Sequence, residues 1–97
     1  MIVKYSQSFI AKLKKADVRI RKNFKQRINI FLRNPNDLQL NNHALRNEWK
    51  GYRSIDITAD WRAIYREVQA GEENPFAYFT SLGTHAELYG DNRFRIQ

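Results

Sequence analysis

The 97 residues carry 17 Lys/Arg against 10 Asp/Glu, a formal net charge of +7, with 42% hydrophobic and 13% aromatic side chains. That is material for one domain with one compact core, not for a disordered chain. No apolar run approaches the roughly 18–20 residues of a membrane span, Met1–Ser6 lacks the apolar stretch of a secretory signal, and the absence of cysteine excludes disulfides and thiolate metal sites.

In chain order, Met1 to Tyr5 read as a short first strand, and Ser6 or Ser8 caps a helix carrying Phe9 and Leu13 at helical spacing. Ala16-Asp17 mark a break. From Asp17, a plausible N-cap, Ile20, Phe24, Ile28 and Phe31 form one apolar stripe on a second helix. That helix stops at Asn34-Pro35, because the proline ring disfavours the α region for the residue before it. Residues 1–35 hold ten basic side chains against Asp17 alone, a local charge of +9, whereas residues 36–97 sum to −2. A basic helical flank of this kind attracts polyanions such as RNA, or an acidic partner; it also keeps a small protein soluble. Lys22 and Lys25 are its candidate RNA contacts.

Residues 34–42 are a turn-rich connector, after which the pattern changes to period two. Candidate strands are 44–49, 52–58, 61–68 and, beyond the turn at 71–75, 76–82. Helices followed by an antiparallel meander predict an α+β fold: a short N-terminal strand, then two helices on one face of a twisted antiparallel sheet of about four strands. The other face would be polar and partly open. The octet Gly83–Gly90 then places His85 on a short turn, four residues before Tyr89. Residues 91–97 read as a C-terminal tail beyond a single domain at 1–90.

No glycine-rich phosphate loop, H-E-x-x-H or G-x-S-x-G element occurs, so nucleotide hydrolysis, zinc proteolysis and serine esterase chemistry have no support. Two histidines leave little for a zinc cluster, and neither metal nor other cofactor is expected. What remains is a set of proton-transfer and charge-stabilising groups in the sheet half: His43, Asp60, Arg62 and His85, with Arg53 and Asp56 nearby. Metal-free RNA cleavage needs such a set. A base takes the proton of the ribose 2′-OH, an acid protonates the departing 5′-oxygen, and cations hold the extra charge on phosphorus. Bland alternatives exist for each. His85 can be a surface residue capping its turn, Thr58-Ala59-Asp60 a plain hairpin turn, and Arg62 a sheet-edge ion pair. Lys50 and Arg53 are reasonable phosphate contacts, as is Arg66, and a solvated edge explains them equally well. Trp49 and Trp61 read as core aromatics.

The ordered motifs H-x-L (His43–Leu45), W-K-G-Y-R (Trp49–Arg53), D-W-x-x-I-Y (Asp60–Tyr65) and G-T-H-A-x-L-Y-G (Gly83–Gly90) resemble the YafQ branch of the RelE/ParE superfamily of bacterial toxins. The resemblance implies an mRNA endoribonuclease of a type II toxin-antitoxin system, acting in the cytoplasm at the ribosomal decoding site and neutralised by a small acidic antitoxin. It further implies His85 as proton donor, Asp60 as base or orienter of a histidine, and His43 as a catalytic position. Tyr89 would stack on or orient the scissile nucleotide. Arg62 looks like the phosphate-contacting arginine of RelE proper. One departure stands out: several YafQ relatives carry a histidine where this chain has Asp56, so Asp56, Asp60 or His43 must serve as base. The rival within the superfamily is a ParE-type toxin, which binds gyrase and lacks the RNase groups. A degenerate toxin kept as a partner of its antitoxin is the third reading.

Overall fold

The computed structural model of the chain describes residues 1–90, so the tail at 91–97 lies outside the described residues. β1 (Ile2–Tyr5) runs into Ser6, whose Oγ accepts from the Phe9 amide at 3.0 Å and caps α1 (Gln7–Lys15). Ser8, the alternative cap, lies inside the first turn. α2 (Val18–Arg33) starts at Asp17, whose Oδ1 accepts from the Ile20 amide at 3.0 Å. Its predicted stripe of Ile20, Phe24, Ile28 and Phe31 is buried throughout. The helix ends where Asn34, ahead of Pro35, turns extended.

After a 3₁₀ turn at Leu38–Leu40 come β2 (His43–Ala44), β3 (Arg53–Asp56), β4 (Trp61–Val68), β5 (Phe76–Thr84) and α3 (His85–Tyr89). The five strands form one sheet in the order β1-β5-β4-β3-β2. The α+β architecture is the expected one, with two differences in the sheet. β1 joins it as a further strand, and it lies parallel to β5, with Ile2 opposite Phe76 and Tyr5 opposite Phe79. A parallel neighbour requires a crossover, and here α1 and α2 lead the chain away from β1 before the antiparallel strands are laid down.

The predicted strand at 44–49 is not one. Only His43 and Ala44 pair, and Asn47–Trp49 form a 3₁₀ turn because Asn47 takes a left-handed φ of 56° that no strand accommodates. Gly51, at φ 93°, completes the reversal, and the strand expected at 52–58 shortens to Arg53–Asp56. The turn expected to carry His85 is helical. Thr84 and Glu87 close a capping box around the first turn of α3: Thr84 Oγ1 accepts from the Glu87 amide, and Glu87 Oε1 accepts from the Thr84 amide.

One face of the sheet supplies Ile55, Ala63, Tyr65, Ala77, Phe79 and Leu82 to the core beneath Phe9, Phe24, Ile28 and Phe31. Aromatic rings carry much of this layer: Phe79 lies 4.9 Å from Tyr65 and 5.3 Å from Phe31 between ring centres. A bulge keeps both strands in phase with the core: Ile64 faces Ser81 but Tyr65 faces Phe79, so Thr80 is the extra residue. Ile55, Ala63 and Leu82 lie side by side in the core, so the pleat sends Ser54, Ile64 and Ser81, and likewise Asp56, Arg62 and Gly83, to the opposite face. That face is less open than its polar composition suggests, since Ser54 and Ile64 are fully buried at its centre. Among the described residues no helix is long and apolar enough to cross a membrane.

Candidate active site

The connector between α2 and β2 is tied to the core through Asn42. Its Nδ2 donates to the Pro35 carbonyl at 2.8 Å and to the Tyr65 hydroxyl at 2.7 Å, and its Oδ1 accepts from Arg53 Nε at 2.8 Å. Burial raises the Tyr65 phenol above its ordinary range, outweighing the Asn42 hydrogen bond and the Arg53 charge, so it stays protonated near neutrality. Arg53, a candidate phosphate contact, thus commits its Nε to the fold. Lys50 and Arg66 are exposed, and the Arg66 guanidinium lies 5.7 Å above the Tyr78 ring.

Four residues form one linked group on the face away from the helices. His43 is exposed, and its Nδ1 lies 2.7 Å from the Asn41 carbonyl. Asn41 Nδ2 donates to Asp56 Oδ2 at 3.2 Å. Asp56 Oδ1 stands 3.0 Å from Arg62 Nε, a charge contact rather than an aligned hydrogen bond. Asp56 and Arg62 are register partners on β3 and β4, as His43 and Ser54 are on β2 and β3. Arg62 Nη1 donates to the Thr58 and Trp61 carbonyls at 2.9 and 3.1 Å. The two hydrogens on Nη2 make no hydrogen bond among the described residues.

The second group gathers at α3. The His85 amide donates to the Asp60 carbonyl at 2.9 Å, so the β3–β4 hairpin holds the start of the helix. The Asp60 carboxylate is exposed at that hairpin tip. The His85 and Tyr89 rings are 4.6 Å apart, edge to face, as i and i+4 on one helix side. Trp49 Nε1 donates to the Leu88 carbonyl at 3.3 Å, and the Trp49 ring meets Tyr52 and Tyr89 edge-on. Trp61 packs against the core as read from sequence; Trp49 instead belongs to this aromatic cluster. Sequence reasoning misses Asn41, Asn42, Trp49 and Tyr52 as site residues; the signals were the Asn-Asn pair ahead of His43, as a turn former, and the W-K-G-Y-R motif that contains Trp49 and Tyr52.

In strand order Arg62 stands between the two groups. Four strands from β2 to β5, at about 4.8 Å spacing, make the sheet here roughly 14 Å wide; His43 is level with Ser54, Ile64 and Ser81, and His85 follows the end of β5. The arrangement offers an imidazole at each flank and a pinned cation between. Among the described residues no group of His, Cys, Asp and Glu side chains could hold a metal ion.

Glu87 ties α3 to α1. The Lys12 ammonium, 2.8 Å from Glu87 Oε2, and then the Thr84 amide hold this carboxylate below its ordinary range. A depressed folded pKa means the contribution is present above the unfolded value of about 4.3 and is lost as pH falls through the folded one. The Trp49 indole N–H resonance, which reports contact with α3, is expected to move in that acid range. Glu87→Gln should show no such step, whereas an indole signal unmoved while the Glu87 carboxyl itself titrates would separate α3 docking from this ion pair.

Comparison with known proteins places this geometry. Residues 1–90 match the family model described as the bacterial toxin of type II toxin-antitoxin system, YafQ. The chain belongs to the YafQ toxin family. A 48-residue stretch, 50% of the chain, is 38% identical to the mRNA interferase toxin YafQ of Escherichia coli (strain B / BL21-DE3) and spans 47% of it, about half that relative's length. The crystal structure of YafQ from the E. coli strain BL21(DE3) superposes with a TM-score of 0.71 at 28% identity, covering 91% of this chain and 97% of that one. YafQ in the E. coli DinJ-YafQ complex gives a TM-score of 0.58 at 28% identity, over 91% and 97% of the two chains. The likeness to YafQ read from the four motifs therefore holds across the described fold.

Proposed function

We propose that residues 1–90 act as one cytoplasmic endoribonuclease unit that cuts messenger RNA in the ribosomal decoding site. The observation that supports this reading is the strand order, in which Arg62 on β4 lies between His43 on β2 and the end of β5, where α3 begins with His85. His43 takes the proton of the ribose 2′-OH, and the 2′-oxygen attacks phosphorus. Arg62 Nη2 faces the charge that builds on the phosphoryl oxygens. The P–O5′ bond breaks as His85 protonates the 5′-oxygen, leaving a 2′,3′-cyclic phosphate. Asp60 holds His85 through its carbonyl, Asp56 orients Arg62, Tyr89 packs beside the reacting nucleotide, and Lys50, Arg53 and Arg66 flank the RNA path. The relatives' name as mRNA interferases and the DinJ-bound YafQ structure support both the reaction and a cognate antitoxin partner.

Induced expression should arrest growth and produce new in-frame transcript ends, read by primer extension. Intact transcripts with falling supercoiling activity would instead establish the ParE-type gyrase reading.

The basic helical half, +9 over residues 1–35, supplies the docking charge for ribosomal RNA in this scheme. Lys22 and Lys25 are exposed on α2. Reversing both charges is expected to weaken ribosome binding and to flatten its salt dependence by roughly 0.7–0.9 in log–log slope for each phosphate no longer neutralised. Unchanged co-sedimentation across salt concentrations would assign both lysines to solubility.

A further inference from the structure

We infer that Asn41 is a positioning residue that fixes the ring tautomer of His43 and couples it to the Asp56–Arg62 pair; this rests on the proposed ribonuclease function. Asn41 sits in the left-handed region, φ 49° and ψ 45°, closing the 3₁₀ turn with its amide on the Leu38 carbonyl at 3.2 Å. Asparagine tolerates this conformation better than most residues with a β-carbon, because its short polar side chain can hydrogen-bond locally. It brings the Asn41 carbonyl to 2.7 Å from His43 Nδ1. A carbonyl oxygen only accepts, so Nδ1 carries the hydrogen, and in the neutral ring the lone pair then belongs to Nε2.

In water a neutral imidazole favours the opposite tautomer, with hydrogen on Nε2. The Asn41 carbonyl therefore selects the form in which the outer nitrogen, away from the backbone, takes up a proton. A base acting on a ribose hydroxyl needs that form. The same residue's Nδ2 holds Asp56 Oδ2 at 3.2 Å, and Asp56 faces Arg62. One side chain and its own carbonyl thus link the proton acceptor to the phosphate-facing cation. Next to it, Asn42 bonds Pro35, Tyr65 and Arg53, so the carbonyl that orients His43 hangs from a segment anchored in the core. No catalytic group is assigned by this; Asn41 acts through His43.

The test is two-bond ¹H–¹⁵N correlation of the neutral His43 ring, paired with single-turnover cleavage on programmed ribosomes. The parent chain should show His43 with hydrogen on Nδ1. Asn41→Gly keeps both the left-handed backbone and the carbonyl, losing only the bond to Asp56, so it should retain that tautomer and cleave within about tenfold of the parent. Asn41→Ala, which keeps the β-carbon but lacks the polar side chain that offsets its penalty in the left-handed region, should drift toward the Nε2–H form and lose roughly 10–100-fold in cleavage. A parent spectrum with hydrogen on Nε2 would overturn the inference, as would an Asn41→Ala protein that keeps the parent tautomer. If the alanine variant does not fold, the parent and glycine spectra decide. The spectra stand apart from activity: a parent that cleaves RNA but carries hydrogen on Nε2 refutes the role of Asn41 alone. A parent with the Nδ1–H form and no cleavage refutes the ribonuclease reading instead.

Discussion

Replacing His85 by alanine is expected to lower single-turnover mRNA cleavage by ~10²–10⁴ while leaving ribosome binding close to that of the parent chain. The size follows from the assigned role: without an acid, the 5′-oxygen must depart as an alkoxide or wait for water. The structure makes this an unusually clean substitution. His85 is exposed at the first position of α3, held by its backbone amide on the Asp60 carbonyl, with its ring edge to face on Tyr89. Alanine keeps that amide and is the best helix former. The Thr84–Glu87 capping box is untouched, so α3 should stay docked and thermal melts should match. The loss should fall on the chemical step, with little change in the concentration of ribosomes needed for half-maximal rate. A well-folded His85→Ala protein with full activity would sink the mechanism.

Arg62→Ala is expected to cost ~10²–10³ in the same assay, the range for removing one pre-positioned donor to a developing anion. Unlike His85, Arg62 also serves the fold. Its side chain is 17% exposed and contacts the Thr58 and Trp61 carbonyls as well as Asp56. Alanine therefore strands a half-buried carboxylate and two acceptors, for a destabilisation of about 1–3 kcal/mol. The two effects separate in a double variant. Arg62→Ala with Asp56→Ala removes the stranded charge and should recover stability but not cleavage. Recovery of cleavage would mean that the guanidinium only neutralises Asp56. Arg62→Lys should fall between, since an ammonium keeps the charge but cannot bond Asp56, the hairpin and a phosphate together.

Local physics made the helical half legible. The four apolar residues of α2, the Asp17 cap and the Asn34-Pro35 stop each act within one or two turns of chain, and each is found as read. The bounds of β4 at Trp61–Val68 also follow from its own alternation. What escaped depends on distant partners or on one residue's backbone. Nothing in Ile2–Tyr5 says that its neighbour is β5, or that it runs parallel. Asn47 looks compatible with a strand by period, and only its left-handed φ ends the run. α3 is too short to show a helical period, although Thr84 and Glu87 spell the capping-box spacing.

The candidate site divides along the same line. His43, Asp60 and His85 were visible because they lie in motifs, and motif spacing is local. The links among them were not. Asp56 faces Arg62 only because the hairpin between them sets the register of β3 on β4, and His43 meets Asn41 only through that residue's backbone.

The parallel pairing of β1 with β5 has a consequence for how the chain is made. Ile2–Tyr5 are made before the rest of the sheet, yet they pair with Phe76–Phe79, the most sequence-distant strand contact among the described residues. Contacts of such separation carry the largest loop-closure cost and form late. The strand that precedes His85 is also the one that β1 must find. While the nascent chain is still short of Phe76, its first strand has no neighbour and β5 does not exist. The sheet can therefore close around β5, and α3 with His85 can be set in place, only after Phe76–Thr84 have emerged.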